Sequence, residues 1–175
     1  MIVDFFNSQC QSLTTKKIFG LCDEEETEEP AYIDEQNRAK WIAVVENDEL
    51  KEVHFIAIDN CIDIWRDDDP KKMEKRCDGM LWYDGKNLIF IELKDRKLRN
   101  ASEFIKEAAL QLTTTINHFK KNYNIADYNI KAAYIASRKK IHRSYTERMK
   151  KFQDDTGCTL RIENRIKIPY INTPS

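Results

Sequence analysis

The stretch from Arg76 to Lys94 constrains this chain more than any other. Two apolar runs, Met80-Leu81-Trp82-Tyr83 and Leu88-Ile89-Phe90-Ile91, flank Asp84-Gly85, a dipeptide that hairpin turns favour. The stretch therefore predicts one β-hairpin. Side chains alternate along a strand, so Leu88, Phe90, Glu92 and Lys94 share a face. The second strand is apolar on both faces until it reaches Glu92-Leu93-Lys94. Burying charge is costly unless the charge is paired or binds a metal. This strand ends in chemistry or in a salt bridge.

Whether Asp78 joins Glu92 depends on the turn. A two-residue loop of Asp84 and Gly85 pairs Tyr83 with Lys86 and turns Asp78 away from Glu92. A three-residue loop of Tyr83, Asp84 and Gly85, with Gly85 left-handed in a bulge, pairs Trp82 with Lys86. Asp78 then stands opposite Phe90, on the face of Glu92 and one diagonal step from it, roughly 7–8 Å away. The bulged register is the expectation here. Two carboxylates at that range share one divalent cation, and the neighbouring lysine positions a water.

An Asp, a short strand and turn, then Glu-x-Lys on the next strand resembles the PD-(D/E)XK nuclease superfamily. The resemblance spans roughly residues 51–137. It implies that Asp78 and Glu92 hold Mg²⁺, with Mn²⁺ as a substitute, and that the Leu93 carbonyl completes the shell. It further implies that Lys94 serves the attacking water. Gln111-Leu112, on the helix predicted downstream, is similar to the helical Gln that one branch of the family sets against its active site. The implied catalytic group is thus Asp78, Glu92, Lys94 and Gln111. The chain departs from the pattern at Cys77, where the name-giving proline would stand, and it offers no first helix with a third acid. The competing reading of the same residues is a buried Asp78–Lys94 or Glu92–Lys94 ion pair.

Composition admits one soluble domain, with 41% hydrophobic residues over 175 positions. No apolar stretch has membrane-spanning length, and the start lacks the basic and apolar pattern of a secretory signal. Five cysteines, Cys10, Cys22, Cys61, Cys77 and Cys158, are odd in number and widely spaced, with no zinc-ligand spacing. A reduced, cytoplasmic setting is expected. With four glycines, the chain has no phosphate-cradling loop. His54, His118 and His142 have no Ser or Cys partner at motif spacing, which argues against a nucleophilic triad.

The net charge of −1 hides a division. Residues 1–69 hold 6 basic against 18 acidic side chains, and residues 70–175 hold 23 against 12. A basic surface beside a carboxylate site suits a phosphodiester backbone. The expected contacts are Arg138, Lys139, Lys140, His142 and Arg143, in a loop between a strand end and a helix start, where N–H groups favour an anion. The acidic run Asp23–Glu29 reads as a solvated loop or, more sharply, as a phosphate mimic near the basic groove.

Elsewhere the pattern predicts strands at Trp41–Glu46, Val53–Ile58, Ile62–Trp65 and Lys131–Ser137, with terminal strands at Thr159–Ile162 and Ile166–Ile171. Asn100 with Glu103 forms a capping box for a helix to about Lys121, whose stripe is Ile105, Ala108, Ala109, Leu112, Ile116 and Phe119. Ser144 with Glu147 opens a second helix that Gly157 stops. Strand–helix–strand order across residues 86–137 predicts a parallel crossover. The expected architecture is α/β, a restriction-endonuclease-like mixed sheet flanked by helices in an α/β/α sandwich. An acidic segment, residues 1–40, leads into or packs on a nuclease-like domain, residues 41–175. The expected function is Mg²⁺-dependent hydrolysis of DNA, more than RNA, by a possible homodimer. The alternatives are a silent relative that binds a protein partner and a nucleic-acid-binding module without cleavage.

Overall fold

The structure is a computed structural model that describes residues 2–95, 100–139 and 144–172. The strands are β1 (Gln11–Thr14), β2 (Ile18–Cys22), β3 (Tyr32–Asp34), β4 (Ala43–Asn47), β5 (Val53–Ala57), β6 (Gly79–Tyr83), β7 (Asn87–Lys94), β8 (Asn129–Ser137), β9 (Leu160–Arg161) and β10 (Arg165–Ile168). The helices are α1 (Ala101–Asn122) and α2 (Thr146–Thr156). Two mixed sheets result, one ordered β1-β5-β6-β7-β8-β9 and the other β10-β4-β2-β3.

β7 sits inside the larger sheet and is buried at every position except Lys94. Its even-numbered residues face one core with Met80, Leu112, Ile116 and Phe119, and its odd-numbered residues face another with Phe19, Val45 and Ile166. A strand apolar on both faces needs cover on both. The helices supply it on the first face. On the second face the cover is the four-stranded sheet, which corrects the expected helices on both sides. Three of its strands, β2, β3 and β4, come from the N-terminal part of the chain, so residues 11–34 are woven into the sheets.

α1 begins where the capping box places it, with the Asn100 side chain accepting from the Glu103 N–H at 3.3 Å. All six stripe residues are buried. The chain then enters β8 parallel to β7, as the strand–helix–strand order predicts. α2 departs from its predicted start: Tyr145 occupies the N-cap without a side-chain bond, and the Ser144 hydroxyl pairs with Thr146 instead. Gly157 ends it in the left-handed conformation. Ile62–Trp65 forms no strand, only a single bridge between Trp65 and Met73. The two C-terminal strands separate, β9 joining β8 and β10 joining β4 in the other sheet.

Cys10 and Cys61 form a disulfide, against the expectation of five reduced thiols. Cys10 immediately precedes β1, which pairs antiparallel with β5, and that pairing brings the two distant cysteines together. Cys22, Cys77 and Cys158 are free and buried. Among the described residues no helix is long and apolar enough to cross a membrane.

Candidate active site

The hairpin closes on a three-residue loop, but without a bulge in its register, and the loop lies one residue later than expected. Tyr83 pairs with Asn87 and Trp82 with Leu88, leaving Asp84, Gly85 and Lys86 in the loop. Asp84 and Gly85 both take positive φ, 53° and 73°. Asp tolerates that conformation better than most residues, and the Asp84 carboxylate is held by Lys51 at 3.0 Å. The two-step shift in pairing keeps Asp78 on the face of Glu92. Extending the register past Gly79–Ile91 sets Asp78 opposite Glu92 rather than opposite Phe90.

Both carboxyls are buried, Asp78 at 7% exposure and Glu92 at 2%. Each carboxyl acts on the ionisation of the other. Asp78 also accepts the Leu93 N–H at 2.6 Å, so Leu93 meets the pair through its N–H. Lys94 Nζ stands 3.5 Å from Glu92 Oε1 and 5.6 Å from the centre of the Phe104 ring. Glu92 Oε2 is buried with no hydrogen-bond partner among the described residues. Burial pushes both carboxyls above the usual carboxylate range, and the charge each presents to the other adds to the effect at Glu92.

Two further acids face this pair, and sequence reasoning missed both. Asp23 follows β2, and its charge raises Asp78. Burial, with Glu25 and Asp59 nearby, pushes Asp23 itself up to about 6. Asp59 follows β5 and acts on Glu92; it is paired with Arg76 at 2.9 Å. The signal existed: each aspartate stands just past an apolar run, as Glu92 does. Among the described residues, however, no three acidic, histidine or cysteine groups converge closely enough to form a ready metal cage.

Gln111 lies on the α1 face turned toward the site. Its amide donates to the Arg76 carbonyl at 3.2 Å, holding the segment before Asp78, and its Oε1 is buried without a partner among the described residues. Of the predicted basic contacts, Arg138 is engaged within the protein. Arg138 donates to the Ala39 and Lys40 carbonyls at 2.6 and 2.9 Å and pairs with Asp95 at 3.0 Å. Lys139 is exposed. Lys140, His142 and Arg143 lie outside the described residues. The acidic run shares a cleft of ≈ 740 Å³ with Arg138, in which Asp23, Glu24, Glu25, Glu26 and Asp95 face Lys40. Glu25 accepts the Asp95 N–H at 3.0 Å, which anchors that run beside the end of β7.

His118 is buried at 9% exposure and stands 3.5 Å from Glu74. The hairpin-tip aromatics pack inward: Tyr83 is buried and its hydroxyl accepts the Tyr170 N–H.

No protein-family model, curated protein or solved structure matches this chain.

Proposed function

We propose that this chain is a metal-dependent nuclease of the PD-(D/E)XK type that hydrolyses phosphodiester bonds in DNA, with Mg²⁺ as its cation and Mn²⁺ as a substitute. The observation that carries the reading is the orphaned Glu92 Oε2, buried opposite Asp78 and beside Lys94. A buried oxygen without a donor is costly, and a cation is the partner that suits a pair of carboxylates. Asp78 and Glu92 would hold it, with the Leu93 carbonyl alongside. A cation bound there supplies charge neutralisation at the phosphate and an acidified water.

The chain's own groups do the rest. Glu92 orients the Lys94 ammonium, which donates to the attacking water and to the charge growing on the phosphoryl oxygens. The Leu93 N–H holds Asp78 in place. Water adds to phosphorus as the P–O bond to the leaving nucleoside breaks, leaving a phosphate monoester and a hydroxyl. Cutting both strands calls for two such sites, which a homodimer provides.

A second reading draws on the cleft, where five carboxylates outnumber two cations. An acidic wall beside the site suits a silent relative that binds a basic protein partner. Incubation of the purified protein with plasmid and single-stranded DNA, with Mg²⁺, Mn²⁺ or EDTA, separates the two. The nuclease cleaves with metal and stops with EDTA, and both Asp78→Asn and Glu92→Gln abolish cleavage while leaving the fold intact. Variants that cut like the parent would sink the assigned site, and a parent that never cuts favours the protein-binding reading.

A further inference from the structure

Gln111 and Thr115 stand one helical turn apart on α1 and reach the same peptide unit. The Gln111 amide donates to the Arg76 carbonyl at 3.2 Å, and the Thr115 hydroxyl oxygen accepts the Cys77 N–H at 2.9 Å. That carbonyl and that N–H are the two ends of the 76–77 peptide plane, and the next residue is Asp78. Thr115 is fully buried, at 0% exposure. Its single hydroxyl proton is already given to the Gln111 carbonyl at 2.8 Å. Toward Cys77 the oxygen therefore serves as an acceptor.

The opposite side of the segment is held as firmly. Ile58 N–H donates to the Asp78 carbonyl at 2.9 Å, and Asp59 N–H to the Cys77 carbonyl at 3.2 Å. Residues 76–78 are thus tied to β5 and its extension on one side and to α1 on the other. A planar peptide gripped at both ends cannot rotate about its flanking bonds without breaking one of these hydrogen bonds. Its rotation would carry the Asp78 backbone, and with it the carboxylate that meets Leu93 at 2.6 Å. A polar pair serving one buried peptide is more than the helix needs to pack, since its apolar stripe already does that.

We propose that Gln111 and Thr115 form a two-point clamp on the 76–77 peptide that positions Asp78 for its cation. Thr115 acts as a positioning residue that touches neither cation nor substrate. The inference rests on the reading of Asp78 as a metal-binding carboxylate. It also makes Gln111 a positioning residue and not a member of the catalytic group that the resemblance implies.

The test uses the full chain with Thr115→Val, Thr115→Ser and Gln111→Leu, and two readouts. The first is the amide proton resonance of Leu93 in metal-free protein, which reports the bond to Asp78 directly. The second is Mn²⁺ affinity from the spin-resonance signal of free Mn²⁺. Thr115→Val keeps the shape of the side chain and removes the acceptor. It is expected to move the Leu93 amide upfield while the Ile89 and Leu81 amides stay in place, and to weaken Mn²⁺ binding by about tenfold or more. Thr115→Ser is expected to restore both. A folded Thr115→Val protein with unchanged Leu93 resonance and unchanged Mn²⁺ affinity overturns the clamp. Should Thr115→Val fail to fold, Gln111→Leu is read the same way, because it keeps the Cys77 N–H bonded and releases only the carbonyl end. Parent protein that takes up no Mn²⁺ overturns the cation reading, and the metal-free amide comparison still decides the clamp.

Discussion

Protons and a divalent cation compete for the same oxygens at Asp78 and Glu92. In an unfolded chain these carboxyls titrate at about 4. In the fold burial raises both, so the native state holds its protons more tightly than the unfolded state does. Stability from this pair is then fully present below the unfolded pKa and is lost as pH rises through the raised folded values. Asp78→Asn removes one of two facing charges and keeps an acceptor for the Leu93 N–H. At pH 8 and without metal the variant should be more stable than the parent, by ~1–2 kcal/mol or about 2–8 °C in a chain of this size. At pH 5 the difference should shrink. Mn²⁺ should raise the parent's melting temperature more at pH 8 than at pH 5, and leave the variant's unmoved. Scanning calorimetry at the two pH values reads all of this. A variant less stable than the parent at pH 8 without metal would mean that the pair is already compensated. Glu92 and Lys94 were legible in sequence because a charge at the end of a doubly apolar strand is anomalous, and Asp78 was reached from them by counting back through the hairpin. Asp23 and Asp59 carry the same local mark, yet Asp59 reaches the pair through the β5–β6 pairing and Asp23 through the meeting of two sheets, and no local pattern encodes either.

Elements were legible where one local rule decides them. The α1 cap, its apolar stripe and the parallel crossover follow from spacing within a few turns of chain. The second sheet was hidden because Ile18-Phe19-Gly20-Leu21-Cys22, an apolar run, is followed immediately by Asp23–Glu29, whose charge dominates the reading of that segment. β10 was visible as a strand, but its neighbour β4 is remote in sequence, so its sheet was not. The hairpin register turned on one residue, Asp84, accepting a left-handed conformation. Glycine matters more sharply at the start of β6. A β-carbon on Gly79 would fall 2.4 Å from the Phe55 ring and 2.7 Å from the Ile56 carbonyl, next to Asp78. On Gly85 it would meet open space, and only the positive φ of 73° resists it. Gly79→Ala should therefore cost about 2–3 kcal/mol by overpacking and weaken Mn²⁺ binding, whereas Gly85→Ala should cost about 1–2 kcal/mol and leave Mn²⁺ binding alone. Urea unfolding and a metal titration compare the two. Equal costs would show that the Phe55 ring swings aside and that close approach does not set where β6 begins.

At the scale of the molecule, the charge division read from the sequence does not become a spatial separation. The acidic run lines the cleft that also holds Lys40 and Arg138, and Glu25 ties it to Asp95, one residue past Lys94. A phosphodiester strand approaching Asp78 and Glu92 would pass these carboxylates, and repulsion between exposed charges acts within a Debye length of about 10 Å. Glu24, Glu26 and Glu28 are exposed, so replacing all three with Gln alters the field and keeps the Glu25 anchor. The substituted protein should bind labelled duplex roughly three- to tenfold more tightly at low salt, with the gain fading as salt screens it. Neutralising Lys139, Lys140 and Arg143 should act oppositely, weakening binding and flattening the log–log salt slope by about one unit for each phosphate that is no longer neutralised. Arg138 is left out of that set because its guanidinium holds the Ala39 and Lys40 carbonyls, so its loss would disturb the fold as well as the surface. Fluorescence anisotropy across several salt concentrations measures both effects. If neither the parent nor the Glu24, Glu26 and Glu28 variant shows salt-sensitive binding to DNA or RNA, the acids are not screening a nucleic-acid groove. The cleft then serves a basic protein partner.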